Sequence, residues 1–186
     1  MRGSFQSPAL PLRWAIPLAL ALLVIVGDQL SKIAIVATLG PEPYTQRISL
    51  GPAWLNLVYS QNTGVAFGLF QQMPLLFLFT AILITLVVLY AYHAYLPNHV
   101  PWVQLAMGLI LGGAVGNIID RVRLGWVVDF ISIGWWPVFN LADSAIVVGV
   151  IALAGYLFFF GEQPAPPPSP PRDDGLLHDL LSRDVE

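Results

Sequence analysis

Residues 127–160 read VVDFISIGWWPVFNLADSAIVVGVIALAGYLFFF, and this stretch decides the fold. Val127–Ile133 is short and β-branched and is bounded by Gly125 and Gly134, which predicts a strand. Val138 to Phe160 is apolar and long enough to cross a bilayer, where a helix needs about 20 such residues. A carboxylate sits in each part: Asp129 inside the strand and Asp143 in the first turn of the span. Gly134 and Pro137 let the chain reverse between them, so the two side chains can face each other. Capping explains Asp143, because a carboxylate in a first turn gains from the helix dipole. Asp129 has no such reason, since Asp is a poor strand former.

Working outward, three more runs have the length and apolarity of a span: Trp14 to Leu39, Leu75 to Leu96 and Trp102 to about Ile119. The composition agrees. Of 186 residues, 56% are hydrophobic and 10% charged, and the mean hydropathy is +0.72, whereas a soluble domain carries roughly 25% charged residues. Eight basic against eleven acidic residues give a net charge of -3, which leaves no electrostatic footprint for nucleic acid. The absence of cysteine excludes disulfides, thiolate metal sites and a cysteine nucleophile. Arg13 before the first run resembles the start of a signal peptide. That run, however, exceeds the about 7–15 residues of such a segment and continues through Asp28, Gln29, Ser31 and Lys32, so it reads as a retained span.

The expected fold is therefore an all-α membrane protein, a four-helix transmembrane bundle carrying a small β-cradle on one face. Residues 1–13 form an N-terminal segment and 14–161 the four-span unit. The cradle is drawn from 41–70, where Trp54–Tyr59 is β-rich, and from 124–134. Residues 162–186 form a Pro-rich acidic tail, expected to be disordered. Leu176, Leu177, Leu180 and Leu181 share one helical face in it, fitting a nascent or surface-lying helix.

Four spans put both termini on one side and the cradle on the other. Asp28, Lys32, Asn62, Asn117, Asp120, Arg121, Asp129, Asn140 and Asp143 all fall at the cradle end. An Asp at the centre of a span costs about 2.5–3.5 kcal/mol, so these groups must face inward and have partners. Ionisable residues so placed are functional candidates. Asp28 and Lys32 stand at i and i+4 in the favourable acid-first order and read as structural support. Gly108, Gly112 and Gly116, with Gly113 alongside, form a small-residue stripe for close helix packing. The stripe brings Asn117, Asp120 and Arg121 against neighbouring helices, and Arg121 can pair with a carboxylate or a lipid phosphate.

Two carboxylates facing each other in a partly dry site share a proton. The ionised one can activate water while the protonated one donates to a carbonyl oxygen, which is aspartic-protease chemistry. Its rivals lack parts. His93, His99 and His178 fall at the wrong end or in the tail. Ser31 and Lys32 point about 100° apart on a helix, and Ser60 with Lys32 is a weak alternative. No metal site is expected.

Asp28-Gln29-Leu30-Ser31-Lys32, Asn62-Thr63-Gly64-Val65-Ala66-Phe67-Gly68, Gly116-Asn117-Ile118-Ile119-Asp120-Arg121, Val127-Val128-Asp129-Phe130 and Phe139-Asn140-Leu141-Ala142-Asp143 resemble, in order, the five motif blocks of lipoprotein signal peptidase (signal peptidase II). The resemblance covers roughly residues 14 to 160. It implies a bacterial inner-membrane aspartic endopeptidase that cuts the signal peptide from a prolipoprotein before a diacylglyceryl-modified cysteine. It further implies Asp129 and Asp143 as the catalytic pair, with Asp120 third. Asn62 and Gly64 would lie beside the substrate, while Asn117, Arg121 and Asn140 orient the site. The implied fold adds a surface-lying segment on the outer face. No cofactor is implied; the partners are diacylglyceryl-prolipoproteins and membrane lipids, and a monomer is expected. Cytoplasmic termini follow from the resemblance alone, since Arg2, Arg13, Arg172 and Arg183 balance Lys32, Arg47, Arg121 and Arg123. The tail after Gly161 departs from the family pattern. A proton-coupled transporter using buried carboxylates is the competing class, and a membrane scaffold packed through the glycine stripe a third. The gathering of carboxylates at one end, with no internal repeat, weighs against a transporter.

Overall fold

A computed structural model describes residues 10–64 and 73–161. Residues 1–9, the Val65–Gly68 part of the second block and the tail at 162–186 lie outside the described residues. The elements run α1 (Leu10–Leu39), β1 (Arg47–Ser49), β2 (Leu55–Asn62), α2 (Pro74–Ala94), α3 (Pro101–Leu124), β3 (Val127–Ile133) and α4 (Leu141–Phe160). All four helices are long and apolar enough to cross a membrane. Pro74 and Pro101 open α2 and α3, where a missing N–H costs no helical hydrogen bond.

The glycine stripe makes α3 the central helix. Its apolar window is 61% buried, against 6% for α2. A Cβ on Gly112 would lie 2.6 Å from Val24 Cβ, and one on Gly116 would lie 2.8 Å from the Asp28 carboxylate. A Cβ on Gly113 would collide with the Ala142 carbonyl oxygen. Any side chain at these positions would push α1 or α4 away. The outward faces of α1, α2 and α4 keep large apolar residues exposed, among them Leu23, Leu83 and Ile151. Lipid is the solvent that such faces require.

The strands form one antiparallel sheet in the order β1-β2-β3. Ile48 pairs with Leu57, Ser60 with Asp129 and Asn62 with Val127, and the register shifts between Leu57 and Ser60. Because strand side chains alternate in direction, Tyr59, Val128 and Phe130 pack on Ile35 and Leu39 at the end of α1. Asp129 and Asn62 consequently point to the opposite face. At the other end of the bundle, Tyr92, Val103, Met107, Leu111 and Ala21 form an apolar core.

The first helix starts at Leu10 rather than Trp14 and the second ends at Ala94 rather than Leu96, and two further boundaries that differ from the sequence expectation bear on the site. The third helix continues past Ile119 to Leu124 and ends on Gly125, whose φ of 85° is the left-handed conformation favoured by glycine. The fourth begins at Leu141 rather than Val138. Phe139 instead bridges Ile131, exchanging N–H···O bonds of 2.7 and 3.1 Å, and Asn140 caps the helix.

Candidate active site

The site grows from the start of α4. Asn140 adopts an extended conformation, and its side-chain oxygen accepts from the Asp143 N–H at 2.9 Å. Asp143 Oδ2 in turn accepts from the Asn140 N–H at 3.3 Å. This reciprocal box satisfies two backbone donors that a helix start leaves open. The Asn140 amide nitrogen also donates to Asp129 Oδ1 at 2.7 Å and to Asn117 Oδ1 at 3.1 Å. One asparagine therefore joins the strand carboxylate to the helix carboxylate. Asn62 Nδ2 donates to the other oxygen of Asp129 at 2.9 Å, and Asn117 Nδ2 donates to Asp143 Oδ1 at 2.7 Å.

Beneath this pair lies a buried ionic cluster. Lys32 Nζ lies 2.7 Å from Asp28 Oδ2 and 2.9 Å from Asp120 Oδ2, and donates to Asn117 Oδ1 at 3.1 Å. The remaining carboxylate contacts explain the arrangement. Asp28 Oδ1 accepts the Ala142 N–H in the first turn of α4 at 3.0 Å, and Asp120 Oδ2 accepts the Val128 N–H of β3 at 3.1 Å. Each acid thus pins the backbone of an element bearing one of the upper carboxylates. Three buried charges persist because each is paired and hydrogen-bonded. Gln29 completes the cluster, donating to Asp120 Oδ1 at 2.9 Å.

Asp129 is 2% exposed. Burial, reinforced by the nearby Asp143 charge, pushes its carboxyl up to about 7, against the opposing pull of the Asn62 and Asn140 hydrogen bonds and of Lys32. Near neutral pH it can hold a proton and give it up.

Asp143 is reached from two sides. A groove of about 590 Å³ runs past Asn62, Trp136, Pro137, Val138 and Ser144 to Val147 and Val148. A crevice of about 280 Å³ between α2, α3 and α4 is apolar along Ile84, Val88 and Ile146, and ends at Asn117, Arg121 and Asp143. Among the described residues, the Arg121 guanidinium makes one hydrogen bond, to its own helix at Asn117 O, at 3.4 Å. Its charge interacts with those of Asp143, Asp129 and Asp120, and the residue lines the crevice beside Asp143.

A model of the family described as Signal peptidase (SPase) II matches residues 20–159. The chain belongs to the signal peptidase II family. It is 45% identical over 147 residues to a lipoprotein signal peptidase of Moorella thermoacetica, covering 78% of this chain and 95% of that protein. It is 46% identical over 133 residues to one from Syntrophomonas wolfei, covering 71% and 85%. Two solved bacterial membrane-enzyme structures resemble the fold, with TM-scores of 0.68 and 0.69 and identities of 30% and 31%. They match over 81% and 77% of this chain and 93% of theirs.

In this signal peptidase II family member, all ten residues singled out from the sequence meet in one network or line its cavities. Gly64 joins through its N–H, which Asn62 Oδ1 accepts at 3.1 Å. The Ser60–Lys32 alternative is not assembled: Lys32 is bound by Asp28, Asp120 and Asn117, while Ser60 Oγ lies 2.6 Å from the Tyr44 hydroxyl. Sequence reasoning gave no role to Gln29, although it stands inside the first block beside Asp28. A polar residue in an apolar span, one position from an ionisable group, was the available signal. Tyr44 gave none, for it lies in an irregular loop.

Proposed function

We propose that this protein is an aspartic endopeptidase that removes the signal peptide from diacylglyceryl-modified prolipoproteins, cutting before the lipidated cysteine. The observation that carries this reading is the Asp129–Asn140–Asp143 linkage at the end of an apolar groove. The proton belongs to the pair, and the burial of Asp129 favours its residence there. Asp143, at the positive end of α4 and accepting from Asn117 and from the Asn140 N–H, suits the ionised role.

Asp143 removes a proton from water as the oxygen attacks the scissile carbonyl carbon, while Asp129 gives its proton to the carbonyl oxygen. The tetrahedral diol then collapses. Asp129 recovers a proton from one hydroxyl, the C–N bond breaks, and the proton held by Asp143 leaves with the amine. Asn62 and Asn140 hold Asp129 in place through both stages. Arg121, facing the crevice beside Asp143, supplies the charge for binding substrate backbone carbonyls. The low dielectric at the end of the bundle strengthens each of these interactions. Apolar surfaces suit a substrate that is itself a signal helix joined to acyl chains and that arrives by lateral diffusion. The protein resides in the bacterial cytoplasmic membrane as a monomer, with both termini cytoplasmic and the sheet on the outer side. A transporter would need ionisable groups spaced across the bilayer, whereas among the described residues the polar group buried at the far end, Gln104 with the Asn98 backbone, is neutral.

The decisive test is cleavage of a diacylglyceryl-modified prolipoprotein by purified protein in detergent. Activity that withstands chelators and vanishes in both Asp129→Asn and Asp143→Asn is expected. Full activity in either variant removes that residue from the mechanism.

A further inference from the structure

We propose that the distal end of the sheet, where Leu50–Leu55 meets Ile133–Pro137, dips into the headgroup and upper acyl region of the bilayer, anchored by Trp54, Trp135 and Trp136. The first observation is exposure where water would disfavour it. Trp135 is 83% exposed, Trp136 57% and Trp54 55%. Leu50 and Ile133 are exposed beside them. The second is charge. No charged residue occurs from Ile48 to Asn62 or from Phe130 to Ala142, although both segments contain turns, which on a water-facing surface are polar.

The two turns form one unit. The Trp54 carbonyl accepts the Gly134 N–H at 2.7 Å, next to the Leu55–Ile133 pair that ends the β2–β3 ladder. The Trp135 and Trp136 rings meet edge to face with centroids 5.6 Å apart. Indole suits this location, since its apolar body and single N–H match the boundary between acyl chains and headgroups.

Continuity with the membrane-facing surface identifies lipid as the occupant. Trp136 lines the same groove as Val147 and Val148, both 55% exposed on the outward face of α4. At 1.5 Å of rise per residue, Val148 lies about 10 Å along α4 from Leu141. The sheet tip and the first two turns of a membrane helix therefore border one groove, apolar along Trp136, Pro137, Val138, Val147 and Val148 and polar only where it reaches Asn62, Asp143 and Ser144. The anchor fixes the sheet, and with it Asp129, at a set depth.

The cysteine-free sequence allows a single spin label in the full-length protein. Trp54→Cys and Trp135→Cys, each carrying a nitroxide in phosphatidylcholine–phosphatidylglycerol vesicles, are compared with Ile151→Cys on the outward face of α4 and Arg47→Cys on β1. At the tryptophan positions, collision with an aqueous nickel chelate is expected to fall severalfold below that at Arg47, with oxygen collision rising toward the Ile151 value. Tryptophan quenching by lipids brominated high on the acyl chain, reduced in the Trp54→Phe/Trp135→Phe/Trp136→Phe protein to the part owed to Trp14, Trp102 and Trp126, checks the same point without labels. Nickel accessibility equal to that at Arg47, or brominated-lipid quenching of the parent no stronger than that of the triple variant, overturns the proposal. Protection from both nickel and oxygen also overturns it, since that marks a protein partner.

Discussion

The two ends of the bundle solve the same packing problem with different chemistry. At the end away from the sheet, Trp14 meets Tyr92 edge to face at 4.8 Å, and the Tyr92 hydroxyl donates to the Arg13 carbonyl at 2.7 Å. Gln104 Nε2 donates to the Asn98 carbonyl at 2.9 Å. These are neutral bonds within an apolar cluster, and they hold helix ends together. At the sheet end, Asp28, Lys32 and Asp120 bury three charges to pin α4 and β3. Apolar residues would pack at least as stably as a buried ion cluster. The polar end is therefore built for position rather than for strength: it sets the backbone of the two elements that bear Asp129 and Asp143.

The largest expected break in this contrast comes from the carboxylate pair. Asp129→Asn and Asp143→Asn should each lower turnover by roughly 10²–10⁴-fold, the range of general acid–base catalysis, while the thermal midpoint in detergent shows the fold intact. Asp120→Asn, which alters the support beneath Asp129, should leave measurable turnover. A dead Asp120 variant beside an active Asp129 variant would reverse the assignment.

Next is Lys32→Met, which leaves Asp28 and Asp120 facing each other without a cation. Loss of one partner of a buried pair costs about 3–5 kcal/mol, read as a fall in unfolding midpoint in detergent. A variant as stable as the parent would show that the cluster does not hold the sheet end together.

The pH dependence sharpens the contrast. Asp129 titrates at about 7 in the folded protein and at the ordinary 3.8 when unfolded. Between those values the folded protein binds a proton that the unfolded chain has lost. This contribution to stability is therefore complete below about pH 4 and disappears as the pH rises through 7. Turnover should fall over the same upper range as Asp129 loses its proton. The infrared carbonyl band of its protonated carboxyl, absent in Asp129→Asn, should disappear with a midpoint near 7. The smallest effect belongs to the far end: Tyr92→Phe, losing one neutral hydrogen bond, should cost about 0.5–1.5 kcal/mol with no change in turnover.

The fold was legible wherever local pattern decides. Four apolar runs mark the helices, the Gly108–Gly116 stripe marks the helix that the others embrace, and Val127–Ile133 carries its β-branching openly. β1 was not legible, because Arg47–Ser49 is three exposed residues with no alternation to read. The start of α4 was obscured because Val138 and Phe139 are apolar enough to continue a span, and only their pairing with β3 keeps them out of it. For the site, residue types and order sufficed to name the polar set. What joins them is long-range: Asn140 with Asp129, Asn117 with Asp143 and Asp28 with Ala142 meet through tertiary contacts that no periodicity encodes.

That last contact bears on how the protein is made. The Asp28 carboxylate accepts the N–H of a residue 114 positions later. During synthesis the first helix therefore enters the membrane well before its acceptor can meet that donor. Asp129 must likewise wait for Asn140. The nascent chain holds no assembled site until the fourth helix has emerged and docked, so hydrolytic competence arrives as the final event of biogenesis rather than growing by stages.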